Sequence, residues 1–120
     1  MPGVIINLSS VHEIIPWPHF ADYAASKAGV GMLTKTLALE YADRGIRVNA
    51  VAPGPIWTPL NPASYGADSD KVRHFGEGVP MGRPGQPYEL APAYVFLASD
   101  DSSYVSGQVI HVNGGTVVNG

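Results

Sequence analysis

Ser10, Tyr23 and Lys27 place a hydroxyl, a phenol and an ammonium within one short stretch of a 120-residue chain. A phenol ordinarily keeps its proton up to a pH of about 10, too high for acid–base work near neutrality. An ammonium held within roughly 4–6 Å favours the phenolate and eases that exchange. Tyr23 and Lys27 stand four residues apart, so on a helix their side chains share one face. Ser10, at the carboxyl end of an expected strand, could donate a hydrogen bond to a substrate oxygen. The three would supply a proton-transfer group, its charged neighbour and an oxygen anchor, which suits carbonyl reduction or alcohol oxidation. By itself a Tyr-x-x-x-Lys spacing is ordinary helix surface, so its weight comes from what surrounds it.

The surrounding elements read as one alternating unit. Val4-Ile5-Ile6, inside Gly3 to Leu8, is a short β-branched run that predicts a buried strand. Pro16 and Pro18 make Val11 to Phe20 a loop. From Asp22 to Asp43 the pattern turns helical, with Tyr23, Lys27, Val30, Thr34, Leu37 and Tyr41 at three- and four-residue steps. Gly45 stands where a helix-ending glycine belongs. Ala24, Ala25, Ala28, Gly29 and Gly31 give that helix a small-residue face, expected to be packed on more than one side. Ile46 to Val51 predicts the next strand, stopped by Ala52-Pro53-Gly54-Pro55. Strand, helix and strand at this spacing form a right-handed parallel crossover unit. Ile56 to Pro84 reads as a long loop with short helices, Pro87 to Ser99 as a second helix with Pro92 inside it, and Gln108 to Val112 as a third strand.

Composition narrows the function classes. The net charge of −3 argues against a nucleic-acid or anionic-membrane binder. With no cysteine there is neither a disulfide framework nor a thiolate metal site, and a reducing cytoplasm is the expected compartment. His12, His19, His74 and His111 show no metal-ligand spacing, so no metal is expected, and Asp68 and Asp70 read as solvated loop charges. No apolar run approaches the roughly 18 residues of a membrane span.

Tyr23-Ala-Ala-Ser-Lys-Ala-Gly29 resembles the active-site helix of the short-chain dehydrogenases/reductases. Ser10 stands thirteen residues before Tyr23 (23 − 10 = 13), the offset of that family's serine. Gly45-Ile-Arg-Val-Asn49, Ala52-Pro-Gly54, Leu97-Ala-Ser-Asp100, Tyr104-Val-Ser-Gly107 and Val112-Asn-Gly-Gly115 are similar to its later motifs, so the likeness covers essentially the whole chain. The resemblance implies an α/β fold, the C-terminal half of a Rossmann-like doubly wound parallel sheet with about three strands and two long helices. It implies NAD or NADP as cofactor, with Tyr23 as acid/base, Lys27 also holding the nicotinamide ribose, and Ser10 orienting the carbonyl. Pro53, Gly54, Ile56 and Thr58 would border the nicotinamide, although Pro53-Gly54-Pro55 also reads as a simple rigid turn.

Two branches of the family are echoed. The stretch from Ser10 to Pro18, with Leu37 to Ala42, is similar to bacterial glucose 1-dehydrogenases, which makes His12 and Asn61 candidate ligands for substrate hydroxyls. Read without that likeness, His12 is a satisfied polar loop residue. Pro53 to Thr58, with Gly85-Gln-Pro87 and Glu89 to Pro92, looks more like aldehyde reductases. Trp17 and Trp57 read either as pocket walls or as packing residues. The family's Gly-rich pyrophosphate turn does not occur in these 120 residues, nor does the helix carrying its catalytic asparagine. The expectation is therefore a single partial domain over 1–120, working on a small alcohol or carbonyl, as a homo-oligomer or with a complementing N-terminal half. The competing expectation is a non-catalytic remnant serving as an oligomeric or interaction module.

Overall fold

Val4-Ile5-Ile6 forms the expected strand, and its neighbours on the sheet explain its position. The computed structural model of the chain describes residues 2–60 and 70–118. Strand β1 (Gly3–Leu8) pairs in parallel with β2 (Ile46–Pro53), and β2 pairs in parallel with β3 (Val109–Val112), giving the order β1-β2-β3. Helix α1 (Ala21–Tyr41) connects β1 to β2, and α3 (Pro87–Ala98) precedes β3. A single-turn helix, α2 (Asp70–Arg73), lies in the intervening segment. This is the expected α/β arrangement, a parallel sheet built through helical crossovers.

Register fixes which side chains face which helix. Asn7 pairs with Ala50, and the Asn7 amide donates to Thr34 Oγ1 on α1 at 3.0 Å. Val48, Ala50 and Ala52 therefore point toward α1, because side chains alternate along a strand. Arg47, Asn49 and Val51 point the other way, toward α3 and the turn that follows it. Val48 through Ala52 are all buried, which a strand achieves only when both faces of the sheet are covered.

The α3 side is closed by a polar network. Arg47 Nη1 donates to Ser102 Oγ at 2.8 Å and Nη2 to the Ser99 carbonyl at 3.2 Å. A cation there meets the carbonyl-rich end of α3, where its charge is favourable. Fully buried Asn49 donates to the Val105 carbonyl at 2.9 Å and accepts from Gln108 N at 3.0 Å, so its amide is paired on both sides. Fully buried Leu97 anchors α3 by apolar contact, a burial worth about 1.5–3 kcal/mol.

Some expectations change. Among the described residues β1 pairs on one edge only, and Val4, Ile5 and Leu8 are 41%, 40% and 55% exposed, so the local signal for a buried strand holds only in part. Helix α1 buries Gly31, Thr34 and Ala38, while Ala25, Ala28 and Gly29 lie exposed, so within this chain it packs along one stripe. Strand β2 runs two residues past Val51, since Ala52 and Pro53 pair with His111 and Val112. Pro92 stays inside α3 on its exposed side, where water can take the carbonyl that the missing N–H leaves. The helix after Tyr41 ends as expected, in a short 3-10 turn and Gly45 at φ 72°. Among the described residues no helix is long and apolar enough to cross a membrane.

The start of α3 carries a charged brace. Arg83 Nη1 and Nη2 donate to the two carboxylate oxygens of Glu89 at 2.7 and 2.9 Å, and Glu89 also accepts from Gln86 N at 3.1 Å. The Arg83 hydrogen bonds, then the Gln86 N–H, hold the Glu89 carboxyl at about 2, well below its usual range. A carboxylate depressed in the fold stabilises it above its unfolded value and loses that contribution as pH falls through the folded value. The melting-temperature gap between wild type and Glu89→Gln is thus expected to be full above about pH 4.5 and to close toward about pH 2. A gap that stays constant from pH 7 to pH 2.5 would refute the assignment.

Candidate active site at the carboxyl edge of the sheet

Because all three strands are parallel, the chain leaves β1 and β2 on the same edge, and the expected site residues gather there. Ser10 follows β1 directly. Its backbone is extended, and its hydroxyl oxygen accepts from His12 N at 3.1 Å, capping the 3-10 turn Val11–Glu13. Ser10 itself is buried, 7% exposed, at the carboxyl end of β1. Ser9 beside it does different work. Its hydroxyl donates to Glu13 Oε1 at 2.6 Å, and Gly31 on α1 has room for that carboxylate only because it lacks a Cβ.

Tyr23 lies in the first turn of α1, half-exposed, and Lys27 is one turn later. Lys27 Nζ donates to the Leu8 carbonyl at 3.1 Å and stands 5.7 Å from the centre of the Tyr23 ring. The ammonium is thereby tied to the end of β1 and kept beside the phenol. The sequence placed Ser10, Tyr23 and Lys27 together, and the fold brings them to one edge.

An aromatic cluster fixes the same region. Trp17 stacks on His12 (4.4 Å between centres, 13°) and on Phe20 (4.1 Å, 23°), and meets Tyr23 edge-on at 5.5 Å. Two coplanar rings cannot lie side by side that close to one centre, so His12 and Phe20 cover opposite faces of the indole. Trp17 is therefore a packing residue with neither face left to wall a pocket. His12 also meets Tyr23 edge-on at 6.2 Å, and its Nδ1–H donates to the Ile15 carbonyl at 3.0 Å. That bond assigns the proton of the neutral ring to Nδ1 and leaves Nε2 as an acceptor. His19 closes this loop in a left-handed conformation, φ 72°, which its side chain gave no reason to expect.

The Pro53-Gly54 turn leaves β2 on the same edge. Gly54 N donates to the Val112 carbonyl at 2.8 Å, and a Cβ on Gly54 would fall 2.8 Å from the Asn113 Cα. The turn then runs beside Gly85. Gly85 N donates to the Pro55 carbonyl at 2.9 Å, Trp57 N donates to the Gly85 carbonyl at 2.8 Å, and Ile56 bridges Gly85 between them. Thr58 continues this segment in a half-buried position. Trp57 packs against Phe75, 6.1 Å between centres. A cavity of about 160 Å³ lies behind the turn, between Ile56, Met81 and Asn113. Asn61 and Asp68 lie outside the described residues. Among the described residues no group of carboxylates and histidines could hold a metal. The bridge to Gly85 gave no local signal in the sequence, since it joins segments separated by the long loop.

A nicotinamide nucleotide, the cofactor that the resemblance implies, fits one part of this arrangement. The Lys27 ammonium, bonded to the Leu8 carbonyl at the end of β1, stands 5.7 Å from the Tyr23 ring centre, and the Pro53–Thr58 turn leaves β2 along the same edge. The set suits a ribose and a carboxamide, and among these 120 residues no Gly-rich turn for a pyrophosphate occurs.

Known proteins resemble this chain over nearly its whole length. Residues 1–117 match the family described as enoyl-(acyl carrier protein) reductase, of the short-chain dehydrogenase type. A 3beta-hydroxysteroid dehydrogenase of Eggerthella lenta is 66% identical over 115 residues, 96% of this chain and 44% of that protein. A glucose and ribitol dehydrogenase homolog of rice (Oryza sativa) is 59% identical over 116 residues, 97% of this chain and 38% of that protein. Among solved structures, a gluconate 5-dehydrogenase of Burkholderia cenocepacia in complex with NADP and tartrate superposes with a TM-score of 0.85. It is 41% identical over 96% of this chain and 45% of its own. The chain thus spans less than half the length of each of these relatives.

The close approach at Gly54 gives a direct test. Gly54→Ala places a methyl against the Asn113 backbone, which cannot swing aside as a side chain would. Denaturant unfolding is expected to show a loss of about 1–3 kcal/mol. An unchanged midpoint would mean that the turn does not seat on Asn113 as described.

Proposed function

The chain belongs to the short-chain dehydrogenase/reductase family, and from that premise we propose that it carries the catalytic, nicotinamide-facing part of an NAD(P)-dependent oxidoreductase interconverting an alcohol and a carbonyl. The observation that carries this reading is the Lys27 ammonium, tied to the Leu8 carbonyl and held 5.7 Å from the Tyr23 ring, with Ser10 following the same end of β1.

In the direction of reduction, the Ser10 hydroxyl donates a hydrogen bond to the carbonyl oxygen and orients it. Tyr23 gives its proton to that oxygen as the alcohol forms, and the Lys27 ammonium stabilises the phenolate left behind. Oxidation runs the same proton in reverse, from the alcohol to Tyr23. The nicotinamide, when bound, supplies or accepts the hydride. Lys27 would hold its ribose, and Pro53, Gly54, Ile56 and Thr58 would border its ring. His12, with Nε2 left as an acceptor, is the proposed contact for a second hydroxyl of the substrate, with Asn61 as a further candidate.

The substrate class follows from likeness. The rice relative is described by glucose and ribitol, and the gluconate dehydrogenase crystallised with NADP, both consistent with a polyol and with His12 as a hydroxyl ligand. The 66% identity to the hydroxysteroid dehydrogenase supports a bulkier apolar alcohol as the second reading. The pyrophosphate grip would come from a segment outside these 120 residues or from a complementing chain, with self-association as a further part of the proposal. A cytoplasmic setting belongs to the same reading. Nothing in the comparisons favours a non-catalytic remnant.

Titration of NADH and NADPH, followed by quenching of tryptophan emission, tests whether this chain binds the cofactor by itself. Absence of saturable binding up to millimolar concentrations would rule out turnover by the chain without a complement. Where binding and turnover are found, Tyr23→Phe is expected to lower turnover about 10²–10⁴-fold with cofactor binding little changed. Equal turnover in the two proteins would remove Tyr23 from the mechanism.

A further inference from the structure

Gly85 lies against the Pro55–Thr58 segment through its own backbone. Its N–H and carbonyl are both spent on Pro55 and Trp57, at 2.9 and 2.8 Å. A Cβ on Gly85 would stand 2.8 Å from Ile56 Cδ1, so the bare backbone also sets how far the Ile56 side chain extends. Wherever Gly85 is held, Ile56 follows.

The residues on either side of Gly85 are closed on one another. Arg83 reaches over the loop with three hydrogen bonds: two to the Glu89 carboxylate and one from Nη1 to the Pro84 carbonyl at 3.1 Å. Glu89 returns the closure by accepting from Gln86 N at 3.1 Å. Pro84 precedes Gly85 and Gln86 follows it, so the apex is gripped at both shoulders. An exposed ion pair ordinarily contributes little. A bidentate fork sharing its carboxylate with a backbone N–H is the geometry in which such a pair does fix position. Pro84 is immobilised from a second side, where a Cβ on Gly76 would strike it at 2.6 Å.

We propose that the Arg83–Glu89 pair is a positioning device for the Pro55–Thr58 turn. It clamps the loop whose apex, Gly85, fixes the backbone of Pro55 and Trp57 and the side chain of Ile56. Arg83 and Glu89 act through Gly85, as positioning residues. The consequence for cofactor binding rests on the reading of this turn as the nicotinamide border, whereas the clamp itself is a property of the chain.

The test keeps those two levels apart. Trp57 is one of two tryptophans, so in a Trp17→Phe background it is the sole emitter. Its accessibility to acrylamide reports the turn. Arg83→Met removes the fork and leaves the Glu89–Gln86 contact intact. Ser99→Ala, which deletes the cap on the turn after α3, lowers stability at a place remote from Gly85. Arg83→Met is expected to raise Trp57 accessibility and, with both tryptophans present, to weaken NADH binding about threefold to tenfold. Ser99→Ala is expected to lower the melting temperature and move neither. Unchanged Trp57 accessibility in Arg83→Met, or an equal change in Ser99→Ala, would overturn the clamp. If the wild-type chain binds no NADH at millimolar concentration, the cofactor reading fails, and Trp57 accessibility by itself still decides the clamp.

Discussion

Strand β2 is hydrogen-bonded along both edges, to β1 over Ile46 to Val51 and to β3 over Ala50 to Pro53. A strand paired on both sides cannot shift register without breaking two ladders, and a one-residue slip would turn its buried faces inside out. Its side chains then leave little choice for the helices. Val48, Ala50 and Ala52 are small enough to let α1 lie close. Arg47 and Asn49 on the other face require polar partners, which the end of α3 and the turn after it provide. The two strand ends that carry the candidate site are neighbours because parallel pairing makes them so.

The same constraint explains how much could be read from the residues. The βαβ unit was legible because its signals are local: a β-branched run, a 3.6-residue stripe, and Gly45 at the helix end. Ser10, Tyr23 and Lys27 were legible through spacing and through the motif around them. The extension of β2 through Pro53 was not, because proline reads as a strand breaker and only the distant partner Val112 makes it a paired position. Trp17 was ambiguous for a similar reason. Whether an aromatic residue lines a pocket or fills one depends on both of its faces, and Phe20 and His12 cover them through a loop conformation that includes a left-handed His19. The exposed face of β1 and the bare small-residue face of α1 show the opposite limit. Composition marks a surface as suited to close packing, but it does not say that this chain supplies the packing.

The two walls of the candidate site are held by different physics, and this bears on how the site responds to its surroundings. Ser10, His12 and Tyr23 are placed by ring stacking, by a backbone cap and by the Lys27 bond to Leu8, within residues contiguous in sequence. Ring contacts of this kind are insensitive to salt. The Pro53–Thr58 wall is placed by backbone bonds to Gly54 and Gly85, and the segment carrying Gly85 is closed by a charged fork that solvent ions can reach. Ionic strength should therefore act on the Pro53–Thr58 wall while leaving Ser10, His12 and Tyr23 where they are. The distance between the two walls is fixed by the parallel pairing of β1 with β2, whose unbroken ladder gives that distance its rigidity.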